Sequence, residues 1–275
     1  MSHSADLAFV ITIARAAGAL IREHYGHVER LTKRGEEAVT EADRASQRLI
    51  IARLAERFPD DGVIGEENDD GSAITNRPPR RGSRVWVIDP LDGTNNFVAG
   101  LGNFAVCIGL MTDGLPVLGV VYDVCRDEVF AAERGRGAWR NDQAIQAPAT
   151  PLSERCLLML TSNLLDAHGR MPSWAAAFHA QTRLKVRVLG SAALEAVQVA
   201  AGVAHGSITL NGKLWDIAAA AAVVLEAGGR LTTPAGAPLF PMLLAGYAGA
   251  KTPFVAAGPA AHAELLSQLG VQPLR

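Results

Sequence analysis

Asp89 and Asp92 stand three positions apart in the run Trp86-Val87-Ile88-Asp89-Pro90-Leu91-Asp92-Gly93-Thr94. An apolar, strand-like stretch delivers the first carboxylate at its tip, and Pro90, which has no N–H, is expected to stop the ladder there. Two acids held on a stiff turn repel strongly once removed from water. A divalent cation between them removes that conflict. All-oxygen ligands of this kind suit Mg²⁺, which keeps several waters and binds through a few carboxylates together with substrate phosphate. Gly93 and Thr94 then offer backbone N–H groups at the start of a helical turn, where phosphate is favoured.

Three more acids accompany this pair. Glu66 lies upstream in Ile64-Gly65-Glu66-Glu67, Asp216 far downstream in Leu214-Trp215-Asp216-Ile217-Ala218-Ala219, and Asp43 follows Thr40 near the start of an early helical pattern. Taken singly, each has an ordinary role. Glu66 reads as a solvated loop acid, Asp216 as an N-terminal helix acid complementing the dipole, and Asp43 as the partner of a capping threonine.

Taken together and in this order, the G-E-E, D-P-L-D-G-T and W-D-x-A-A segments resemble the inositol monophosphatase family, within the lithium-sensitive, Mg²⁺-dependent phosphatase superfamily. The resemblance runs from the first helix to the last strand. It implies a mixed α and β fold, a five-layer α/β/α/β/α sandwich, and two or three Mg²⁺ ions. One ion would take Glu66, Asp89 and the Leu91 carbonyl, a second Asp89, Asp92 and Asp216, and a third, weaker one Glu66 and waters. Sharing Asp89 matches the close metal pairs of phosphoryl transfer, typically ~3.5–4 Å apart. The implied chemistry is direct hydrolysis by a metal-activated water. Glu66, Thr94 and Asp43 would carry the catalysis, with Thr94, hydrogen-bonded to Asp43 or Glu66, orienting the water. Substrate would meet Leu91, Asp92, Gly93 and Thr94, the Gly190-Ser191-Ala192 segment, and Asp216. Inhibition by lithium and a homodimer are implied as well.

One position departs from the pattern. Seven residues before Asp216 the animal inositol enzymes place a glutamate that binds ring hydroxyls, and here stands Thr209. Related branches hydrolyse histidinol phosphate, 3′-phosphoadenosine phosphates or fructose bisphosphate. After D-G-T, however, the histidinol branch tends to carry Arg and the nucleotide branch Lys-Glu, where this chain has Asn95-Asn96-Phe97. The expectation is therefore a phosphomonoesterase for inositol 1-phosphate and related polyol phosphates. A non-catalytic interaction protein on the same fold is the alternative of a different class. It is disfavoured because a retired enzyme should have lost a metal ligand, and each is in place.

Composition fits a small-molecule enzyme. The chain has 275 residues, 49% of them hydrophobic, enough for one large or two modest domains. With 26 basic against 28 acidic residues, bulk charge gives no reason to expect nucleic acid or membrane as a partner. Cys107, Cys125 and Cys156 are an odd set, read as free thiols in a reducing, cytoplasmic compartment. The run Leu7 to Ile13 lacks a preceding basic segment and reads as helix rather than signal peptide. No H-E-x-x-H, paired cysteines or G-x-S-x-G elbow offers zinc or nucleophile chemistry.

The elements that must position the acids follow from periodicity. Helices are expected up to Tyr25, over Thr40 to Phe58, around Trp174 to Gln181, from Ser191 to about Ala204, and from Trp215 to Gly228. Strands are expected at Arg84 to Ile88, Phe104 to Leu110, a hairpin Val117–Tyr122/Glu128–Ala132, Cys156–Thr161, Lys185–Leu189 and Gly206–Leu210. Two prolines among small residues at Ala147 to Pro151 mark the boundary between an N-terminal α+β domain, 1–147, carrying most ligands, and a C-terminal α/β domain, 148–275, contributing Asp216.

Overall fold

Ser4 starts α1 (Ala5–His24): its Oγ accepts the Leu7 N–H at 3.1 Å, and Leu7, Val10, Ile13, Ala14, Ala17 and Ile21 form one buried stripe. The computed structural model describes residues 3–26, 31–32, 38–67, 75–162, 164, 169–180 and 184–270. A two-stranded ribbon, β1 (Leu31–Thr32) with β2 (Ala38–Val39), leads into α2 (Glu41–Arg57). The chain continues through β3 (Gly62–Gly65), β4 (Thr75–Arg77), β5 (Arg84–Asp92), the short α3 (Thr94–Val98), β6 (Ala105–Thr112), β7 (Leu115–Asp123), β8 (Glu128–Glu133), β9 (Gly137–Arg140) and β10 (Gln143–Ala144). The second half holds β11 (Leu157–Leu160), α4 (Ser173–Ala180), β12 (Lys185–Arg187), α5 (Ala192–Ala200), β13 (Gly206–Thr209), α6 (Leu214–Glu226), β14 (Arg230–Thr232), β15 (Phe254–Ala257) and α7 (Pro259–Gln268).

These elements stack in five layers. Helices α1 and α2 cover one face of an eight-stranded sheet ordered β10-β9-β8-β7-β6-β5-β3-β4, burying Trp86, Ile88, Val106 and Tyr122 beneath them. Helices α5 and α6 fill the middle layer, between that sheet and a five-stranded one ordered β12-β11-β13-β15-β14. Helices α4 and α7 close the far side over Leu158, Leu160, Ile208 and Val255. The first sheet is antiparallel except at β3–β5, and the second is parallel only where β11 meets β12 and β13.

Two sequence expectations need correcting. The strand does not stop at Pro90. Strand β5 runs on to Asp92, and its ladder with β6 passes from Asp89↔Cys107 to Asp92↔Ala105 across a bulge. The bulge takes Pro90 and Leu91 out of the pairing, so the missing N–H is not needed there. Helix α5 ends at Ala200 rather than near Ala204. Gly202 at φ 74° turns the chain, and the N–H groups of Val203 and Ala204 both fold back to the Gln198 carbonyl.

The alanine-rich middle of α6 has a packing cause. Gly109 and Gly119 face each other across β6 and β7, and the α6 backbone rests directly on this pair. A Cβ on Gly109 would lie 2.8 Å from Ala219 N, and one on Gly119 would lie 2.9 Å from the Ala219 carbonyl carbon. Only glycine permits so close an approach. Gly119→Val is therefore expected to lower stability by about 1–3 kcal/mol or more, because the helix must lift from the sheet. A denaturant midpoint unchanged from wild type would refute this.

Candidate active site

Glu66, Asp89 and Asp92 are placed by backbone pairing, and Asp43 and Asp216 by the starts of two helices. Strands β3 and β5 run parallel, and beyond their last pair the Glu66 N–H donates to the Ile88 carbonyl at 3.2 Å, which sets Glu66 beside Asp89. Gln47 on α2 fixes the same strand end, its Oε1 accepting the Glu67 N–H at 3.0 Å. At the bulge, Asp89 Oδ1 accepts the Leu91 N–H at 3.0 Å, and Ser46 Oγ donates to the Pro90 carbonyl at 3.0 Å. Gly93 takes φ 93°, the left-handed turn that starts α3, and Gly93, Thr94 and Asn95 line the same cavity as Glu66, Asp92 and Asp216.

Asp92 reaches the other half of the molecule. Its carboxylate accepts from the Ser191 hydroxyl, from Ala193 N at 2.9 Å and from Ala192 N at 3.3 Å, so it closes the N-terminus of α5. Asp216 stands in the first turn of α6, its Oδ2 accepting the Lys213 N–H at 2.9 Å. Asp43 joins the group from α2. Its Oδ2 accepts both the N–H and the hydroxyl of Thr40, at 2.7 and 2.6 Å, and its Oδ1 lies 3.1 Å from Thr94 Oγ. The same hydroxyl lies 2.9 Å from the Leu91 carbonyl oxygen.

Burial sets the electrostatics. It pushes the Asp89 carboxyl well above the usual carboxylate range, with the fields of Glu66, Asp92 and Asp216 adding to the rise. Asp216 is raised well above it too, by burial and then by Asp92 and Glu66. Burial lifts Asp92 to about 6 against the lowering effect of its Ser191 and Ala193 hydrogen bonds, and lifts Asp43 to about 6 against Thr40. The mutual effects place Glu66, Asp89, Asp92 and Asp216 within one another's field. Glu66, Asp92 and Asp216 line a cavity of about 190 Å³ that Gly93, Thr94, Asn95, Gly190, Ser191, Ala192 and Thr209 also line, with Asp89 buried outside its lining and, among the described residues, no Lys, Arg or His on it.

The donor set fits a hard cation. Four carboxylates and the Leu91 carbonyl are all oxygen, the preference of Mg²⁺. Among the described residues, no three acidic, histidine or cysteine side chains converge tightly enough to cage an ion alone. Water and substrate oxygens would have to complete the shell, as is usual for Mg²⁺.

These shifts fix a pH dependence. Asp43 and Asp92, at about 6, and Glu195, lifted to about 8 by burial, hold protons more tightly folded than unfolded. The stabilisation is complete below the unfolded carboxyl range and is lost as pH rises through the folded values. Chelator-treated protein should therefore show a Tm that falls between pH 5 and pH 8. A thermal melt series with Tm constant or rising over that window would contradict the assignment.

A comparison with protein families decides the relationship: the profile of the inositol monophosphatase family matches residues 3–270. The chain belongs to this family. It is 36% identical over 232 residues to the fructose-1,6-bisphosphatase/inositol-1-monophosphatase of Thermotoga maritima, covering 84% of this chain and 85% of that one. It is 38% identical over 231 residues to the Nus factor SuhB of Pasteurella multocida, covering 81% and 83%. Among solved structures, the extragenic suppressor protein suhB of Bartonella henselae superposes with a TM-score of 0.85 at 30% identity, over 97% of this chain and 98% of that one. Family membership makes the chain one of a group of metal-dependent phosphatases, and the five layers are those of its relatives. No helix among the described residues is long and apolar enough to cross a membrane.

The structure adds lining residues that motif reading passed over: Asn95, Thr161, Ser162, Glu195, Asn211 and Gly212. Thr161 and Asn211 are joined by a hydrogen bond across the ends of β11 and β13. Asn96 binds the carbonyls of Asn103 and Leu189, at 2.8 and 2.7 Å, tying α3 to the segment that precedes α5.

Proposed function

We propose that the chain is a Mg²⁺-dependent phosphomonoesterase acting on inositol 1-phosphate and related polyol phosphates. The observation that carries this reading is a cavity lined by acids and, among the described residues, by no basic side chain, in a chain of a phosphatase family. A phosphate dianion would be repelled from such a cavity unless cations lay between. Two or three Mg²⁺ ions on Glu66, Asp89, Asp92, Asp216 and the Leu91 carbonyl would neutralise the acids, polarise the phosphoryl group and make water more acidic.

The protein's own groups do the rest. The amides of Gly93 and Thr94, at the left-handed turn, hold phosphoryl oxygens as charge develops on them. Thr94 Oγ, within reach of Asp43 Oδ1, orients the attacking water and passes its proton towards Asp43. Asp43 is suited to that task because burial keeps its carboxyl near neutrality, at about 6. Ser191 and the first amides of α5 fix Asp92, so the leaving oxygen meets an ordered wall.

The test is phosphate release by chelator-treated protein, with and without added Mg²⁺ and Li⁺. The substrates are inositol 1-phosphate, glycerol 2-phosphate, histidinol phosphate and 3′-phosphoadenosine 5′-phosphate. Mg²⁺-dependent, Li⁺-inhibited release from the two polyol esters is expected. No release from any of the four, or release indifferent to Mg²⁺, would overturn the reading.

Thr209 sets the expected breadth. It lines the cavity, is buried, and its Oγ has no hydrogen-bond partner among the described residues. A threonine offers a substrate hydroxyl a short neutral partner, where a glutamate would offer charge-assisted bonds of about 1.5–3 kcal/mol each. Thr209→Glu should raise the preference for inositol 1-phosphate over glycerol 2-phosphate, through KM more than kcat. An unmoved ratio of kcat/KM would remove Thr209 from the specificity determinants.

A further inference from the structure

Glu195 lies in α5, is 1% exposed and lines the cavity. One of its oxygens is fully engaged: Oε1 accepts the N–H groups of Leu189 and Gly190, at 2.8 and 3.1 Å. These bonds hold the segment before α5 from one side. Asn96 and Asn103 hold the Leu189 carbonyl from the other, at 2.7 and 3.0 Å. Both amide bonds to Glu195 fall on Oε1, and the second oxygen, Oε2, is left to the cavity that Glu195 lines. A carboxyl buried this deeply is costly to desolvate. A purely structural clamp would need only one acceptor, and a glutamine or a backbone carbonyl would serve it without that cost.

Building on the phosphatase reading, we propose that Glu195 determines specificity: its second oxygen meets a hydrogen-bond donor, a hydroxyl or an ammonium group, on the alcohol portion of the substrate. Burial lifts this carboxyl to about 8, so it is the ionised group, above that pH, that accepts from such a donor and turns away the anionic phosphoryl oxygens. The segment that Glu195 supports also carries Ser191, which binds Asp92, so the residue meets substrate from a framework already fixed to the acids. No covalent step is involved. Glu195 selects which alcohol leaves, while the groups around Asp89 act on phosphorus.

The experiment compares wild type with Glu195→Leu and Glu195→Gln on three esters at about pH 9, where the Glu195 carboxyl is ionised. Glycerol 2-phosphate carries hydroxyls, 2-aminoethyl phosphate an ammonium group, and phenyl phosphate no donor on its leaving alcohol. Glu195→Leu should lower kcat/KM about tenfold for whichever donor-bearing ester the site prefers, chiefly through KM, with phenyl phosphate within about twofold. Equal losses on all three esters would show a merely structural clamp, and no loss on any would show no role; either overturns the proposal. Should Glu195→Leu fail to fold, Glu195→Gln carries the test. Its amide oxygen keeps both loop bonds, but the group replacing Oε2 donates and cannot accept. The ratio of 2-aminoethyl phosphate to phenyl phosphate must then fall at least about threefold, and an unchanged ratio overturns the proposal. If wild type hydrolyses phenyl phosphate while the ratios stay fixed, the phosphatase reading stands and this inference falls. If wild type hydrolyses no ester, both fall.

Discussion

Asp89→Asn is expected to lower kcat by roughly 10²–10³-fold or more while leaving the protein folded. The side chain sits where Glu66, Asp92 and Asp216 all bear on it, and burial already pushes its carboxyl well above the usual range. Removing its charge takes away the carboxylate that two cations would share, and a misplaced cation no longer stabilises the charge forming on phosphorus. The fold loses little. The asparagine oxygen still accepts the Leu91 N–H, and a neutral amide is cheaper to bury than a carboxylate among acids. Chelator-treated Asp89→Asn should therefore melt at or above the wild-type Tm at pH 8, while its turnover at saturating Mg²⁺ collapses. Turnover equal to wild type at saturating Mg²⁺ would remove Asp89 from the metal site.

What was legible in the sequence was local chemistry in a fixed order. D-P-L-D-G-T, W-D and G-E-E each pack several constrained residue types into a few positions, so the acids could be named without knowing how the chain folds. Their convergence could not. The parallel pairing of β3 with β5 puts Glu66 beside Asp89, and Gly109 and Gly119 let α6 carry Asp216 down onto the same sheet. Those are contacts between segments far apart in the chain, and no periodicity reports them.

The misplaced strand end, and the features that no motif or periodicity marks, have physical causes of the same kind. Pro90 is a sound reason to end a ladder unless a bulge removes that residue from the pairing, as it does here. Strand β15 is four residues long, follows a proline-rich segment and pairs antiparallel with both neighbours, so its short apolar run signals neither its partner nor its direction. The motif presents Asp92 as a cation ligand, and only the fold shows that its bonds to Ser191, Ala192 and Ala193 also make it the cap of a helix about a hundred residues away. Glu195 belongs to no motif, and only tertiary contact shows that it is buried on the cavity wall.

Thr94→Val is expected to lower kcat by roughly 10²–10⁴-fold with a much smaller change in KM. The hydroxyl proton lies between two acceptors, Asp43 Oδ1 at 3.1 Å and the Leu91 carbonyl at 2.9 Å, and can serve only one at a time. When it serves Asp43, the oxygen lone pair is left to accept from water, and the carboxyl stands ready for the proton released. Valine has the same shape but neither donates nor accepts, so water loses its orientation and its proton its route. Thr94→Ser should restore most of the rate, because only the methyl group is missing. Asp43→Asn should fail for a related reason. Thr40 donates twice to Oδ2, which obliges the amide oxygen to stay there and turns the amide NH₂ towards Thr94. Thr94 could then donate only to Leu91, and no carboxyl would remain to take the proton. The two changes thus break one path, and the double variant should be little worse than either single one. Losses that simply multiply in the double variant would mean that Asp43 and Thr94 act separately, Asp43 only capping α2 through Thr40.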